Sequence, residues 1–252
     1  MKISIITISL NNHSVISQTI ESVILQTFKN IEYIVIDGGS TDGSVEIISS
    51  FESKINCFIT ETDMGIYNAI NKGITLANGD IIGLLHAGDV FYDAQVLSKV
   101  HASFVTNDAE IIYGHSIVLN KNRNKIVRRN ISPKYKDNLL KFGWFPSHQA
   151  TFYKSSVFSK YGLYDERYNI AADYEFLLRM LYVHKLRPIM VDFFVLKFFL
   201  GGKSSKSVFN VLESNVEVYK AWKKNNLGIP FYTIPLKLLR KLSQKIMFFL
   251  NE

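Results

Sequence analysis

Ile31-Glu32-Tyr33-Ile34-Val35-Ile36-Asp37-Gly38-Gly39-Ser40-Thr41-Asp42-Gly43 sets the architecture of this chain. Residues 31–36 are β-branched or aromatic apart from Glu32, the composition of a buried strand. The run then breaks into turn formers, and Val45, Ile47 and Ile48 follow at helical spacing. The same alternation continues on both sides. Upstream, residues 2–8 read as a strand and 13–26 as a helix with Val15, Ile16, Ile20, Val23 and Ile24 on one face. Downstream, 55–60 is a strand, 66–76 a helix stopped by Asn78-Gly79, and 80–85 a fourth strand. This β-α-β-α order predicts an α/β chain with a mostly parallel central sheet flanked by helices. Ligands of such sheets sit beyond the carboxyl ends of the strands. Each of the four strands here ends in polar or glycine-rich residues, at 9–12, 37–43, 61–65 and 86–89.

The second half is less regular. Helices are expected at 93–105, 172–183 and 208–222, and strands at 111–113, 117–119, 126–128 and 149–153. Residues 235–250 form an amphipathic helical pattern with Leu239, Leu242, Ile246 and Phe249 on one face. There is no internal repeat and no low-complexity linker. The simplest division is one domain over 1–205 and a C-terminal helical segment over 206–252.

With 47% hydrophobic and 20% charged residues, the 252-residue chain is an ordinary globular one that can bury a sizeable core. Its single cysteine, Cys57, excludes an internal disulfide framework and a cysteine-built zinc site, and fits a reducing compartment. The net charge of +7 is concentrated: residues 220–252 carry +6 and the remainder +1. A nucleic-acid binder more often spreads basic residues over its folded body. A basic amphipathic tail suits an anionic surface such as a bacterial inner leaflet, or else packs on the domain or a partner subunit. The opening MKISIITISL is too short to span a membrane and lacks a cleavage site, so no signal peptide is expected.

Two readings of 37–43 stand side by side. Asp37, at a strand tip among glycines, can accept a hydrogen bond from a ribose hydroxyl or a uracil N–H. The same residues also make a tight βα turn capped by Asp42. The segment is neither GxGxxG nor a Walker loop.

Taken together, Ser4-Ile5-Ile6-Thr7, Asp37 to Gly43, Asp63-Met64-Gly65-Ile66-Tyr67-Asn68-Ala69-Ile70-Asn71-Lys72-Gly73, Gly79 to Leu85 and Ala171-Ala172-Asp173-Tyr174-Glu175 resemble glycosyltransferase family 2 over residues 2 to about 200. These are inverting enzymes of the GT-A fold. The resemblance is greatest to the non-processive bacterial members that build capsule, O-antigen or exopolysaccharide. It implies a nucleotide-diphosphate sugar donor, most often UDP-linked, a glycan or lipid-diphosphate-linked acceptor, and a divalent cation, Mn or Mg. It also implies a cytoplasmic location, peripheral on the inner membrane. Neither spanning helices nor a Gln-x-x-Arg-Trp motif is found, so one sugar per acceptor is expected.

By this resemblance Thr7 and Ser9 line the nucleotide pocket, Asp37 holds the base or ribose, Asp63 lies near the uridine, and Asn71 lies near the donor. Ile70 stands where many members have Arg. Lys72 either supplies that charge or is a solvated helix lysine. Asp89, in His86-Ala87-Gly88-Asp89, stands where the family places a pair of carboxylates that hold the metal against the donor diphosphate. His86 is then a nitrogen ligand suited to manganese, or a pocket residue for a sugar hydroxyl. The thinned motif also admits an inactive nucleotide-binding scaffold. Asp173 stands at the position of the base that deprotonates the acceptor, and Asp is also a favoured N-cap for a helix starting at Tyr174. Glu175 and Arg179 make an intrahelical pair. By the resemblance Trp144, His148 and Gln149 fall on the acceptor side; a lone His beside aromatics is otherwise a packed, satisfied residue. Gly201-Gly202-Lys203-Ser204-Ser205 is either a loop closing over the diphosphate or a plain connector. A nucleotidyltransferase would carry a glycine-rich basic loop at 9–13, and this chain does not.

Overall fold

A computed structural model describes residues 1–252 except 121, 124, 200–207 and 240–252. Its strands are β1 (Ile3–Ser9), β2 (Ile31–Asp37), β3 (Cys57–Thr60), β4 (Ile81–Leu84), β5 (Val90–Phe91), β6 (Ile111–Leu119), β7 (Ile126–Asn130), β8 (Thr151–Lys154) and β9 (Ile189–Phe199). Its helices are α1 (Ile16–Ile24), α2 (Ser44–Ser50), α3 (Ile66–Leu76), α4 (Val96–Thr106), α5 (Ser155–Tyr161), α6 (Ala172–Leu178) and α7 (Val208–Lys224). Among the described residues the strands form one nine-stranded sheet in the order β3-β2-β1-β4-β8-β6-β9-β5, with β7 paired to β6.

The first four strands are parallel to one another, as their helical crossovers require. β8 then joins β4 antiparallel, and the second half is mixed. β1 is buried along its whole length because helices cover both faces, and its side chains alternate between two cores. Ile6 and Ile8 meet Ile34 and Ile36 on the face covered by α3 and α6. Ile3 and Ile5 meet Tyr33 and Val35 on the face covered by α1 and α4. α3 lies so close to β1 that a Cβ on Gly73 would come within 2.4 Å of Ile6 Cγ2.

Three sequence expectations are revised by packing. The strands expected at 111–113 and 117–119 are one strand, β6. The intervening His115 is buried, bonded through Nε2 to Asp192 at 2.9 Å and accepting the Ser132 amide on Nδ1 at 3.1 Å. The aromatic run 193–199 lies in β9, an inner strand not foreseen from the sequence. The helix expected over 172–183 is α6 followed by a wide turn of π-helix at Arg179–Val183.

The expected boundary at 205/206 lies outside the described residues, as does the 201–205 loop. α7 is packed into the domain, with Val218, Ala221 and Trp222 in the same core as Tyr174, Phe176 and Leu177. The Trp222 indole donates to the Tyr174 hydroxyl at 2.8 Å. Residues 233–239 are helical, and Lys237 among them is buried with its Nζ on Ser214; the rest of the amphipathic segment lies outside the described residues. Among the described residues no helix is long and apolar enough to cross a membrane.

Candidate active site

The strand ends converge through hydrogen bonds between their loops. Asp42 accepts from the Ser44 amide and hydroxyl on one oxygen and from the His13 amide on the other. Asn11 bonds Ser40 and Thr41, so the loops after β1 and β2 form one wall. Gly43 takes a left-handed φ of 90° at the turn into α2.

Several expected donor contacts are engaged within the protein. Asp37 is fully buried. Its Oδ2 accepts from the Gly39 and Ser40 amides at 3.1 and 2.8 Å and from the Thr60 hydroxyl at 2.9 Å, and its Oδ1 accepts from the Ser40 hydroxyl at 2.5 Å. These bonds hold the tight βα turn, while the cap position of α2 is Gly43 and not Asp42 as the turn reading has it. Thr7 lies in the core, its hydroxyl 3.1 Å from that of Tyr33, because it sits two residues short of the strand end. Asn71 ties α3 to the segment before α6, donating to the Tyr164 carbonyl and Glu166 at 2.8 Å each and accepting the Tyr164 amide at 3.0 Å. Lys72 is held between Asp63 at 2.7 Å and Glu61 at 2.5 Å, which pushes its pKa up. Its ammonium is partly exposed and engaged by these two carboxylates.

Ser9 and Asp63 are placed differently. Ser9 ends β1 with a buried hydroxyl that has no hydrogen-bond partner. Such an atom is costly unless something fills its place. Asp63 Oδ2 lies beside Gly38, where a Cβ would be 3.2 Å away.

The other half of the site gathers four motifs around two carboxylates. Residues 148–150 form a single 3₁₀ turn ahead of β8, where the sequence suggested a strand from 149. From this turn the Gln149 amide donates to Asp89 Oδ2 at 3.0 Å, while the neighbouring His148 places Nε2 3.9 Å from Asp173 Oδ2. His86 stacks at a tilt on His148, ring centroids 5.2 Å apart. Burial pushes the His86 imidazole down to about 3 and that of His148 to about 4, so both are neutral at pH 7. Both His86 nitrogens and His148 Nδ1 are buried without hydrogen-bond partners among the described residues. Trp144 packs on Tyr113, centroids 5.9 Å apart, behind this turn.

Asp173 lies in the first turn of α6; the cap position is Ala171, so Asp173 does not act as the N-cap. Its Oδ1 accepts the Tyr174 amide at 2.8 Å and lies 3.4 Å from the Tyr67 hydroxyl. Burial raises its pKa, and the Tyr174 amide and the charge of Lys237 oppose that rise. A carboxylate so placed, with Oδ2 toward His148, can accept a proton from a bound hydroxyl.

Asp89 is pushed up to about 8 by burial, against the bond from Gln149 and the charge of Arg123. Among the described residues no group of three or more His, Cys, Asp or Glu could hold a metal ion. One buried carboxylate, with Oδ1 outside the Gln149 bond, nonetheless fits a hard cation whose other ligands are donor phosphates and water. The site contains three residues that the sequence reading did not single out. Tyr67 stood inside a quoted motif but was not given a role. Arg123, at the tip of the β6–β7 hairpin, bonds Gln18, lies 4.0 Å over the Phe199 ring and acts electrostatically on Asp89. Glu217, on α7, accepts hydrogen bonds from the segment just ahead of Asp173.

Glycine-rich βα turns at the carboxyl ends of parallel strands, with one carboxylate from the loop after β4 and another from α6, are the arrangement of a GT-A glycosyltransferase. The glycosyl transferase family 2 profile matches residues 4–163, and the chain belongs to that family. An uncharacterized glycosyltransferase of Mycobacterium tuberculosis is 33% identical over 179 residues, covering 70% of this chain and 68% of that protein. A PGL/p-HBAD biosynthesis glycosyltransferase of Mycobacterium bovis is 30% identical over 189 residues, with the same coverage. Among solved structures, Staphylococcus aureus TarS 1–349 in complex with UDP superposes with a TM-score of 0.69 at 16% identity, over 96% of this chain and 72% of that one. The Pyrobaculum calidifontis mannosyltransferase PcManGT, in complex with GDP-Man and Mn²⁺, gives 0.64 at 13% identity, over 98% and 72%.

Proposed function

We propose that this glycosyltransferase is an inverting enzyme that moves one sugar from a nucleotide-diphosphate donor, UDP-linked in the first instance, to a glycan or lipid-linked acceptor in surface-polysaccharide assembly. The single observation that carries this reading is the pairing of Asp89 and Asp173 through one turn, Gln149 on the first and His148 on the second. Inversion needs a leaving-group site and a base on opposite sides of the anomeric carbon, and one rigid turn touching both carboxylates keeps them in register.

In this reading the nucleotide lies against the wall formed by the 9–12 and 37–43 loops, with the Ser9 hydroxyl and Asp63 as its contacts. Asp37 and Asn71 shape the pocket from behind. Asp89 is the protein ligand of a Mn or Mg ion, which when bound offsets the charge of the departing diphosphate. Asp173 accepts the acceptor hydroxyl's proton as that oxygen attacks, and neutral His148 and His86 offer their unpartnered nitrogens to sugar hydroxyls. Trp144 backs the acceptor side. The UDP complex of TarS and the GDP-Man complex of PcManGT support a nucleotide-sugar donor. A peripheral position on the cytoplasmic face of the inner membrane is supported by the +6 charge of residues 220–252. It is also supported by Phe209, Leu212, Val216 and Tyr219, exposed along the outer face of α7.

The stereochemical outcome tests the inverting mechanism. Incubated with an α-linked nucleotide sugar, the enzyme is expected to form a β-linked product or, with water as acceptor, the β-anomer first, as read by early-time proton NMR. An α-configured first product would contradict it.

A further inference from the structure

Glu217 is buried on the inner face of α7. Its Oε1 accepts the Asn169 amide at 2.7 Å, and its Oε2 accepts the Ile170 and Ala171 amides at 3.0 and 2.7 Å. Three successive amides thus converge on one carboxylate from another helix. One turn earlier on α7, Glu213 accepts from the Asn169 side chain at 2.9 Å. The segment is also held from the opposite side, where the Ile170 carbonyl accepts the Tyr67 hydroxyl at 2.7 Å. That same hydroxyl is the one beside Asp173.

A carboxylate is buried at a large cost unless its hydrogen bonds are made. The reason for placing one here lies in α6, which has no side-chain cap of its own because its cap position is Ala171. The helix entry is therefore organised from outside, by α7 on the amides and by α3 on a carbonyl. Asp173 is only two residues beyond the last anchored amide, so its direction follows from theirs.

We propose that Glu217 is a positioning residue that fixes the 169–171 segment and thereby aims the Asp173 carboxylate toward His148; the proposal rests on Asp173 as the base. The C-terminal helix is then part of the catalytic assembly, and its role is felt in turnover and not only in stability.

The test compares Glu217→Gln, Glu217→Asp, Glu175→Gln and Asp173→Asn in the full chain, by melting, nucleotide titration and steady-state kinetics well below every melting point. Glu175 is the control. It is equally buried in the α6–α7 interface, and its carboxylate is bonded to Arg179, Lys224 and Asn225 and not to the 169–171 amides, which its main chain meets only through the ordinary helical bond to the Ala171 carbonyl. Glu217→Gln, which sets an NH₂ group against amide donors, is expected to lower kcat about 10- to 100-fold. Its nucleotide affinity and donor KM should stay within about twofold of wild type. Glu217→Asp keeps the charge and should recover part of the loss. Glu175→Gln should lower the melting temperature with kcat within about twofold of wild type. Wild-type kcat in a folded Glu217→Gln, or an equal kcat loss in Glu175→Gln, overturns the proposal. If Asp173→Asn turns over normally, the base assignment falls and takes this proposal with it. If Asp173→Asn is inactive while Glu217→Gln is fully active, only the role of Glu217 falls.

Discussion

Replacing Asp173 with Asn is expected to lower kcat by about 10³-fold while leaving nucleotide affinity nearly unchanged, since a positioned general base supplies on the order of 10²- to 10⁴-fold. The substitution keeps the shape of the side chain and an oxygen for the Tyr174 amide, so the fold at the start of α6 is preserved. What it removes is proton acceptance, and that is needed only as the acceptor oxygen attacks. The pH dependence carries the same signature. Burial raises the Asp173 pKa, and the base works only when ionised. The acid limb of kcat/KM in wild type should therefore lie above the range of an ordinary exposed carboxylate, and activity should fall as pH drops through it. With Mn²⁺ saturating, so that Asp89 stays ionised, the residual turnover of Asp173→Asn should lack that limb. His148 and His86 do not supply a limb at higher pH, because burial keeps both neutral down to about 4 and about 3.

The second large effect is expected at Asp89. Asp89→Asn keeps the side-chain volume and removes the charge, and Asp89→Ala also removes the contact to Gln149. With a Mn or Mg ion held by this carboxylate and the donor phosphates, either change should cut turnover on the order of 100-fold, the scale of losing one stabilising group at a developing charge. Titrated with Mn²⁺ at fixed donor, wild type should show saturable activation and both variants a flat residual rate. Undiminished Mn²⁺ activation in Asp89→Ala would remove this residue from the metal site. Thermal melting separates this from collapse of the site, because the 3₁₀ turn carrying His148 and Gln149 is also anchored by the Thr151 hydroxyl on the Ser147 carbonyl at 2.7 Å.

The parallel half of the sheet was legible because its signals are local. Each strand is an apolar run ended by its own turn, and the helix read at 66–76 is α3 as it stands in the structure. The second half was not, because there the pairing partners decide. His115 and Lys197 break the apolar pattern of β6 and β9, yet His115 is satisfied by Asp192 and Ser132, and Lys197 lies 5.1 Å over the Tyr92 ring. The site divides in the same way. The resemblance to glycosyltransferase family 2 pointed to Asp89, His148, Gln149 and Asp173, and the fold draws these four into one cluster. Thr7, Asn71 and Lys72 sit at equally suggestive positions, but Tyr33, Tyr164, Glu166 and the Glu61–Asp63 pair engage them. Nothing near those residues in sequence announces such partners. Glu217 carried no sequence signal at all, since the amides it holds lie 46 to 48 residues away.

The most direct measurement of the whole account is a calorimetric titration of the wild-type protein with UDP, GDP and dTDP, each with and without Mn²⁺. One nucleotide, UDP in the first instance, is expected to bind, with an affinity that rises with the metal. Folded protein that binds none of the three would contradict a nucleotide-sugar site at these strand ends.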